Sequence, residues 1–204
     1  MSQQDMWKIE QSHFDRGVQL ICGVDEAGRG PLAGPVCAAA VILPPNVEIP
    51  GLNDSKKLSD KKRRELYPVI KETAIAYGIA FADHKEIDEI NILQATYLAM
   101  ERAINQLEVR PELALIDGNR AKDFGIPVET VVHGDSLSAS IAAASVLAKV
   151  TRDDYMLKMA EEYPGYDFEI HKGYGTKAHY AALTKLGASP IHRMSFLKKF
   201  YGEK

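Results

Sequence analysis

The chain has little cysteine, no long apolar run and no excess of positive charge, and each shortage removes a class of protein. Cys22 and Cys37 are its only cysteines, and neither belongs to a C-x-x-C pair, so a structural zinc site or a disulfide framework is excluded as the organising principle. The longest apolar stretch, from Val36 to Pro45, is bounded by prolines and falls far short of the roughly 20 residues a membrane-spanning helix needs. The opening Met-Ser-Gln-Gln-Asp-Met-Trp-Lys lacks the basic start and apolar core of a secretory leader. With both cysteines expected reduced in a core, the reading is a cytoplasmic protein with no membrane partner.

The charge balance is −3, from 25 Lys and Arg against 28 Asp and Glu, which is not the basic sum usual for polyanion binders. Distribution matters more. With the four carboxylates discussed below set aside for cations, the remainder changes from −3 to +1, and its cations are clustered. Lys56, Lys57, Lys61, Lys62, Arg63 and Arg64 form one run. Lys172, Lys177, His192, Arg193, Lys198 and Lys199 form a thinner one, interleaved with Tyr174, Tyr180, Phe196 and Phe200. Runs of this kind are most often solvated helix faces, so charge alone assigns no partner.

At 204 residues and 46% hydrophobic, the chain can bury one sizeable core. No internal repeat is present. Gln19 to Val24 reads as a buried strand stopped by Asp25-Glu26 and the glycine- and proline-rich stretch to Pro35, and Val36 to Leu43 as a second strand. A helix opens after Ser59 as N-cap with Leu66, Val69, Ile70 and Thr73 at helical spacing, and Ala74 to Ala82 is a third strand. A long helix with the buried stripe Leu93, Tyr97, Met100, Ile104 and Leu107 closes at the Arg110-Pro111 break. Strands at Leu113 to Ile116 and Pro127 to Val132 follow, then an alanine-rich helix from about Ser138 to Glu162. This order predicts an α/β or α+β fold with a mixed sheet. We divide it into an extension over 1–18, a catalytic domain over 19–164 and a small helical C-terminal portion over 165–204.

Four acidic residues, Asp25, Glu26, Asp117 and Asp135, fall at strand ends or a helix start, where sites collect. Any one of them alone is most simply a turn or a cap. Brought together in a sheet, they would repel one another and take up a proton unless a cation joined them, and oxygen-only ligands select Mg²⁺ or Mn²⁺. Two such ions about 4 Å apart form a clamp for in-line displacement at phosphorus. Consecutive residues in a regular strand face opposite ways, so Asp25 and Glu26 converge only if the strand ends or twists there; otherwise Glu26 contributes through its main-chain carbonyl.

Gly23-Val24-Asp25-Glu26-Ala27-Gly28-Arg29-Gly30-Pro31-Leu32-Ala33-Gly34-Pro35-Val36 resembles the signature of the ribonuclease HII family. Further blocks match in order: Asn53 to Ser59, Asn91 to Thr96, Leu115 to Asn119, Gly134 to Ser136, Ser140 to Ser145, Ala148 to Asp153, His171 to Thr176 and Ile191 to Phe196. The resemblance covers residues 19 to 196. It implies a ribonuclease H-like mixed sheet flanked by helices, and Asp25, Glu26, Asp117 and Asp135 as catalytic metal ligands for two ions. The implied reaction is hydrolysis of RNA in RNA–DNA hybrids, including single ribonucleotides embedded in duplex DNA, on the 5′ side of the ribose, leaving 3′-hydroxyl and 5′-phosphate ends. Gly28, Arg29 and Gly30 would recognise the ribose 2′-hydroxyl through main-chain groups, and Tyr174 would stack on the neighbouring sugar. Lys56, His171 and Lys172 would touch backbone phosphates, with Asp153 and Arg193 in support. Met194 departs from the pattern, standing where a second basic residue is expected after Arg193. The tail from Met194 to Tyr201 faintly resembles a sliding-clamp-binding segment but lacks its leading glutamine, and reads better as an amphipathic terminal helix; the protein is expected to be a monomer.

Other readings are weaker. Gly134-Asp135-Ser136-Leu137 spells the GDSL esterase motif with Ser136 as nucleophile, but it lies mid-chain, and Asp167 and His171 are one residue too far apart for the accompanying Asp-x-x-His. Asp25-Glu26 ahead of the glycines would repel a pyrophosphate, and Pro31 and Pro35 prevent the helix of a dinucleotide loop. A hybrid-binding module without catalysis is the remaining class.

Overall fold

The computed structural model describes residues 3–53 and 57–202. Lys56, expected to touch phosphate, lies outside them. Among the described residues one sheet forms from β1 (Ile21–Ala27), β2 (Val36–Ile42), β3 (Ala76–Ala82), β4 (Leu113–Asp117) and β5 (Val128–Val131), in the order β3-β2-β1-β4-β5. β2 runs antiparallel to both β1 and β3, whereas β4 is parallel to β1 and β5 to β4. The helices are α1 (Lys8–Phe14), α2 (Asp60–Thr73), α3 (His84–Asn105), α4 (Gly134–Leu137), α5 (Ala139–Glu162), α6 (Phe168–His171), α7 (Lys177–Leu186) and α8 (Met194–Leu197). None of them is long and apolar enough to cross a membrane.

Every residue of β2 is buried, the pattern of a strand covered on both faces. On one face Ala38 and Ala40 meet Met100 and Ala103 of α3; on the other Cys37, Ala39 and Val41 meet Ala143 and Leu147 of α5 with Leu66 and Ile70 of α2. Each such leucine or isoleucine taken from water contributes about 1.5–3 kcal/mol. The alanines let α5 lie close to the sheet, and Gly23 of β1 takes this furthest. A Cβ on Gly23 would sit 2.1 Å from the carbonyl carbon of Ser140, so the start of α5 rests directly on the strand backbone.

Local signals set the helix ends. Ser59 accepts from the Lys62 amide at 3.2 Å, and Ser138 from the Ile141 amide at 3.2 Å. Asp83 and Glu86 form a reciprocal capping box on α3. The long helix is interrupted: Asn91 has φ 66°, and its side chain accepts from the amides of Leu93 and Gln94, restarting the helix after the break. The helix also stops at Asn105, so Leu107, expected on its stripe, packs against the core from beyond its end.

Both ends of the chain join the core. Met6 and Trp7 pack with β2 and α5, and the buried Glu10 accepts from the Ser138 hydroxyl at 2.7 Å and the Ser140 amide at 3.1 Å. The C-terminal helices gather around Phe168, Tyr166, Met156 and Ile191. Main-chain bonds from Leu32 to Gly173 (2.8 Å), Gly34 to Ile191 (2.9 Å) and Arg193 to Leu32 (2.9 Å) tie them to the loop between β1 and β2.

Candidate active site

The hydrogen-bonded register of β1 with β4 ends at Val24 opposite Ile116. The next residues are Asp25 and Asp117, which therefore stand side by side where the parallel strands open at their carboxyl ends, the place where ligands bind in such sheets. β4 keeps its register with β5 to Asp117 opposite Val131. The chain then turns through His133, at φ 59°, and the Gly134 amide donates to Oδ1 of Asp117 at 2.7 Å. That bond brings Asp135, in α4, alongside. Carboxylate oxygens of Asp25, Asp117 and Asp135 all lie within 4.8 Å of one another, with Asp25 and Asp135 buried.

Such a group is unstable by itself. Burial pushes the Asp25 carboxyl well above the usual carboxylate range, and the charges of Glu26 and Asp117 push it further. Hydrogen bonds from Ser145 and from the Glu26 amide, at 2.7 Å, only partly oppose this. Three convergent hard oxygens around a desolvated, repelled carboxyl fit a divalent cation of the Mg²⁺ and Mn²⁺ class.

Glu26 takes another direction. β1 does not stop at Asp25 as the sequence suggested; it continues to Ala27, because β2 pairs with it in full, Asp25 opposite Ala39 and Glu26 opposite Ala38. Pleating starts Glu26 toward the other face, yet its carboxylate stays close enough to act on Asp25 and lines the same cleft. Its carboxylate meets Arg29 at 3.3 Å, at the rim of a second pocket lined by Thr96, Tyr97, Asn119 and Arg120.

Asp25, Glu26, Asp117 and Ser145 open into a cleft of about 260 Å³, walled by Gly28, Arg29, Gly30, Lys149 and Tyr174. A buried guanidinium shapes this wall. Arg193 donates to the carbonyls of Gly28 (2.6 Å), Arg29 (2.9 Å) and Gly34 (2.8 Å). In a trans peptide the carbonyl and the following amide point in opposite directions, so the Arg29 and Gly30 amides face away from Arg193. Gly28 has φ +97°, and a Cβ there would lie 1.9 Å from Nε of Arg152; no other residue fits. Arg152 itself is buried and bonds the carbonyls of Ala33, Pro35 and Lys172. Its guanidinium carbon lies 5.9 Å from the centre of the Tyr174 ring.

One phosphate contact and one supporting residue read from the sequence stand elsewhere. His171 is buried, with its Nδ1 accepting from the Gly173 amide at 3.1 Å and its Nε2 bonded to the Tyr166 carbonyl at 2.8 Å, which leaves neither nitrogen for a phosphate. Arg193 is fully buried, and desolvation pushes its guanidinium down to about 9; it holds a loop from beneath. Lys172 donates to the Glu169 carbonyl. Asp153 is buried and paired with Lys149 at 2.8 Å. The Ser136 hydroxyl donates to the His133 carbonyl at 2.9 Å rather than to an imidazole, so nothing supports it as a nucleophile.

Sequence reasoning missed Ser145, Lys149 and Arg152. Their signal was present: Ser145, Lys149 and Asp153 recur every four residues in an otherwise alanine-rich helix, a polar line on a face that had been read as close packing alone.

The ribonuclease HII family model matches residues 22–199. Ribonuclease HII of Endomicrobium trichonymphae is 56% identical over 194 residues, covering 94% of this chain and 92% of the relative. Among solved structures, ribonuclease H2 from Pyrococcus horikoshii OT3 superposes with a TM-score of 0.73 at 24% identity, over 91% of this chain and 100% of that one. The ribonuclease HII of Archaeoglobus fulgidus, solved in complex with PCNA, superposes at 0.70 with 23% identity, over 86% and 94%. A sequence match from β1 to the terminal helix, on a five-stranded mixed sheet at whose open end the three aspartates meet, means that this chain belongs to the ribonuclease HII family.

Proposed function

We infer that the chain is an endoribonuclease that hydrolyses the RNA strand of RNA–DNA duplexes, including single ribonucleotides embedded in DNA, at the cleft of Asp25, Asp117 and Asp135. The observation that carries this is the convergence of three carboxylates within 4.8 Å where β1 and β4 part. These side chains would hold divalent cations, Mg²⁺ or Mn²⁺, with Glu26 as a fourth ligand from the rim. Bound there, two such ions would supply activation of the attacking water and charge stabilisation of the leaving oxygen.

The protein's own groups do the rest. The Arg29 and Gly30 amides, turned from Arg193, are donors for a ribose 2′-hydroxyl, the group that separates RNA from DNA. Tyr174, with its ring 42% exposed at the mouth of the cleft, stacks on the next sugar. Lys149, held by Asp153, places a cation beside Asp25 for the phosphate, and Lys172, with Lys56 by the family resemblance, contacts backbone phosphates. Water is the nucleophile, so the bond breaks 5′ of the ribose to leave 3′-hydroxyl and 5′-phosphate ends. The enzyme acts as a monomer. Its terminal segment, where Leu197 is buried and Met194 and Tyr201 are exposed, is the candidate contact for a sliding clamp.

One assay tests the reading. A labelled DNA duplex carrying one ribonucleotide is incubated with wild type, Asp117→Asn and Ser136→Ala, with and without chelator. Asp117→Asn and the chelator each reduce cutting on the order of 100-fold or more, close to 3 kcal/mol of transition-state stabilisation, and Ser136→Ala does not. A 2′,3′-cyclic phosphate product, or chelator-resistant cutting that Ser136→Ala abolishes, overturns it.

A further inference from the structure

Behind Tyr174 lie three buried histidines. His171, His179 and His192 pack around Phe168, with the first two stacked at a centroid distance of 4.5 Å. They do not converge as metal ligands, since both nitrogens of His171 are engaged by the main chain.

Their hydrogen bonds have a forced direction. The Ser189 amide can only donate, so Nδ1 of His192 accepts it, at 2.8 Å. A neutral His192 then carries its proton on Nε2 and donates to Nε2 of His179, 2.9 Å away. His179, accepting there, must carry its own proton on Nδ1, which donates to the Tyr174 carbonyl at 3.0 Å. On the other side the Gly173 amide donates to His171. The peptides flanking Tyr174 are thus fixed from below, while its ring lies over Gly30 with its face toward the Arg152 guanidinium. The Tyr174 carbonyl is shared between the His179 ring and the Thr176 amide, at 2.8 Å, and the Tyr174 amide donates to the His171 carbonyl at 2.9 Å, so the relay supplies the side-chain part of the hold on this main chain.

We propose that His179 is a positioning residue for Tyr174: the relay from Ser189 through His192 to His179 sets the Tyr174 carbonyl and so the position of the ring that contacts the sugar. This rests on the reading of Tyr174 given above. The test uses His179→Asn and His179→Gln in the full chain. The asparagine amide matches Nδ1 and keeps the donor to Tyr174; the glutamine amide reaches the place of Nε2 and loses it.

His179→Asn cuts a duplex with one ribonucleotide within about threefold of wild type, and His179→Gln falls tenfold or more at subsaturating substrate. In a Tyr174→Ala background the tenfold loss disappears, which a merely structural role of His179 would not produce. Independently, ¹H–¹⁵N spectra of labelled imidazoles show the Nδ1–H form for His179 and the Nε2–H form for His192. If Tyr174→Ala cuts at the wild-type rate, the reading of Tyr174 fails and takes the proposal with it. If Tyr174→Ala is impaired but His179→Gln costs the same factor in both backgrounds, or His179 is Nε2–H, the positioning claim alone is overturned.

Discussion

Asp25 is buried against two other negative charges, and a folded protein tolerates that only where the charge has a use. Its desolvation and repulsion oppose folding as long as no cation is present. Asp25→Asn therefore raises the melting temperature of metal-free protein, while added Mn²⁺ raises that of wild type and leaves the variant nearly unmoved; thermal unfolding with and without the ion measures both. A variant less stable than metal-free wild type would contradict the account. Gly28 is the second constrained residue. Gly28→Ala puts a Cβ into Arg152 at a positive φ, and destabilises by about 1–3 kcal/mol, read from the urea midpoint. Cutting falls with it, because the Arg29 amide moves with the strained peptide.

At the scale of elements, α5 organises the site. It rests on Gly23, is capped by Ser138, receives Glu10 from the N-terminal helix, and carries Ser145, Lys149 and Arg152 to the cleft. Ser138→Ala removes the cap and the hydroxyl that Glu10 accepts, leaving a buried carboxyl short of a donor. We expect a loss of about 2 kcal/mol in urea unfolding; a loss under 0.5 kcal/mol would show that the N-terminus of α5 is held by packing alone. The elements themselves were legible in the sequence because periodicity and caps are local: the Ser59 cap, the start of α5 near Ser138 and the runs of β2 to β5 fall within a residue or two of where they were read. What was not legible depends on partners distant in the chain. β1 looked complete at Val24, since only its pairing with β2 carries it through Asp25 and Glu26. The break at Asn91 was hidden inside an otherwise good helical pattern. Arg193 and His171 read as surface cations because nothing local says that they are buried under the β1–β2 loop; the convergence of the three aspartates followed from strand ends and could be anticipated.

At the scale of the whole molecule the buried histidines pull toward instability in mild acid, against Asp25 and Glu10, whose raised carboxyls pull the other way. His192 is buried as a neutral ring, held down to about 4 by desolvation first and by the nearby His179 next, and burial lowers His179 as well. A histidine of depressed pKa binds its proton first in the unfolded chain, so the stability present above pH 6.5 is lost as the pH falls from there toward 4. For His192 the window corresponds to roughly 3 kcal/mol. Between pH 7 and pH 5 the urea midpoint should drop more in wild type than in His192→Asn, and the same drop in both would mean that the histidine cluster opens to water. The account turns finally on whether the three aspartates hold divalent ions. Calorimetric titration of Mn²⁺ into the full chain measures this without substrate: wild type should bind, and Asp25→Asn and Asp117→Asn should each weaken binding at least tenfold while remaining folded. Unchanged binding in both variants would contradict it.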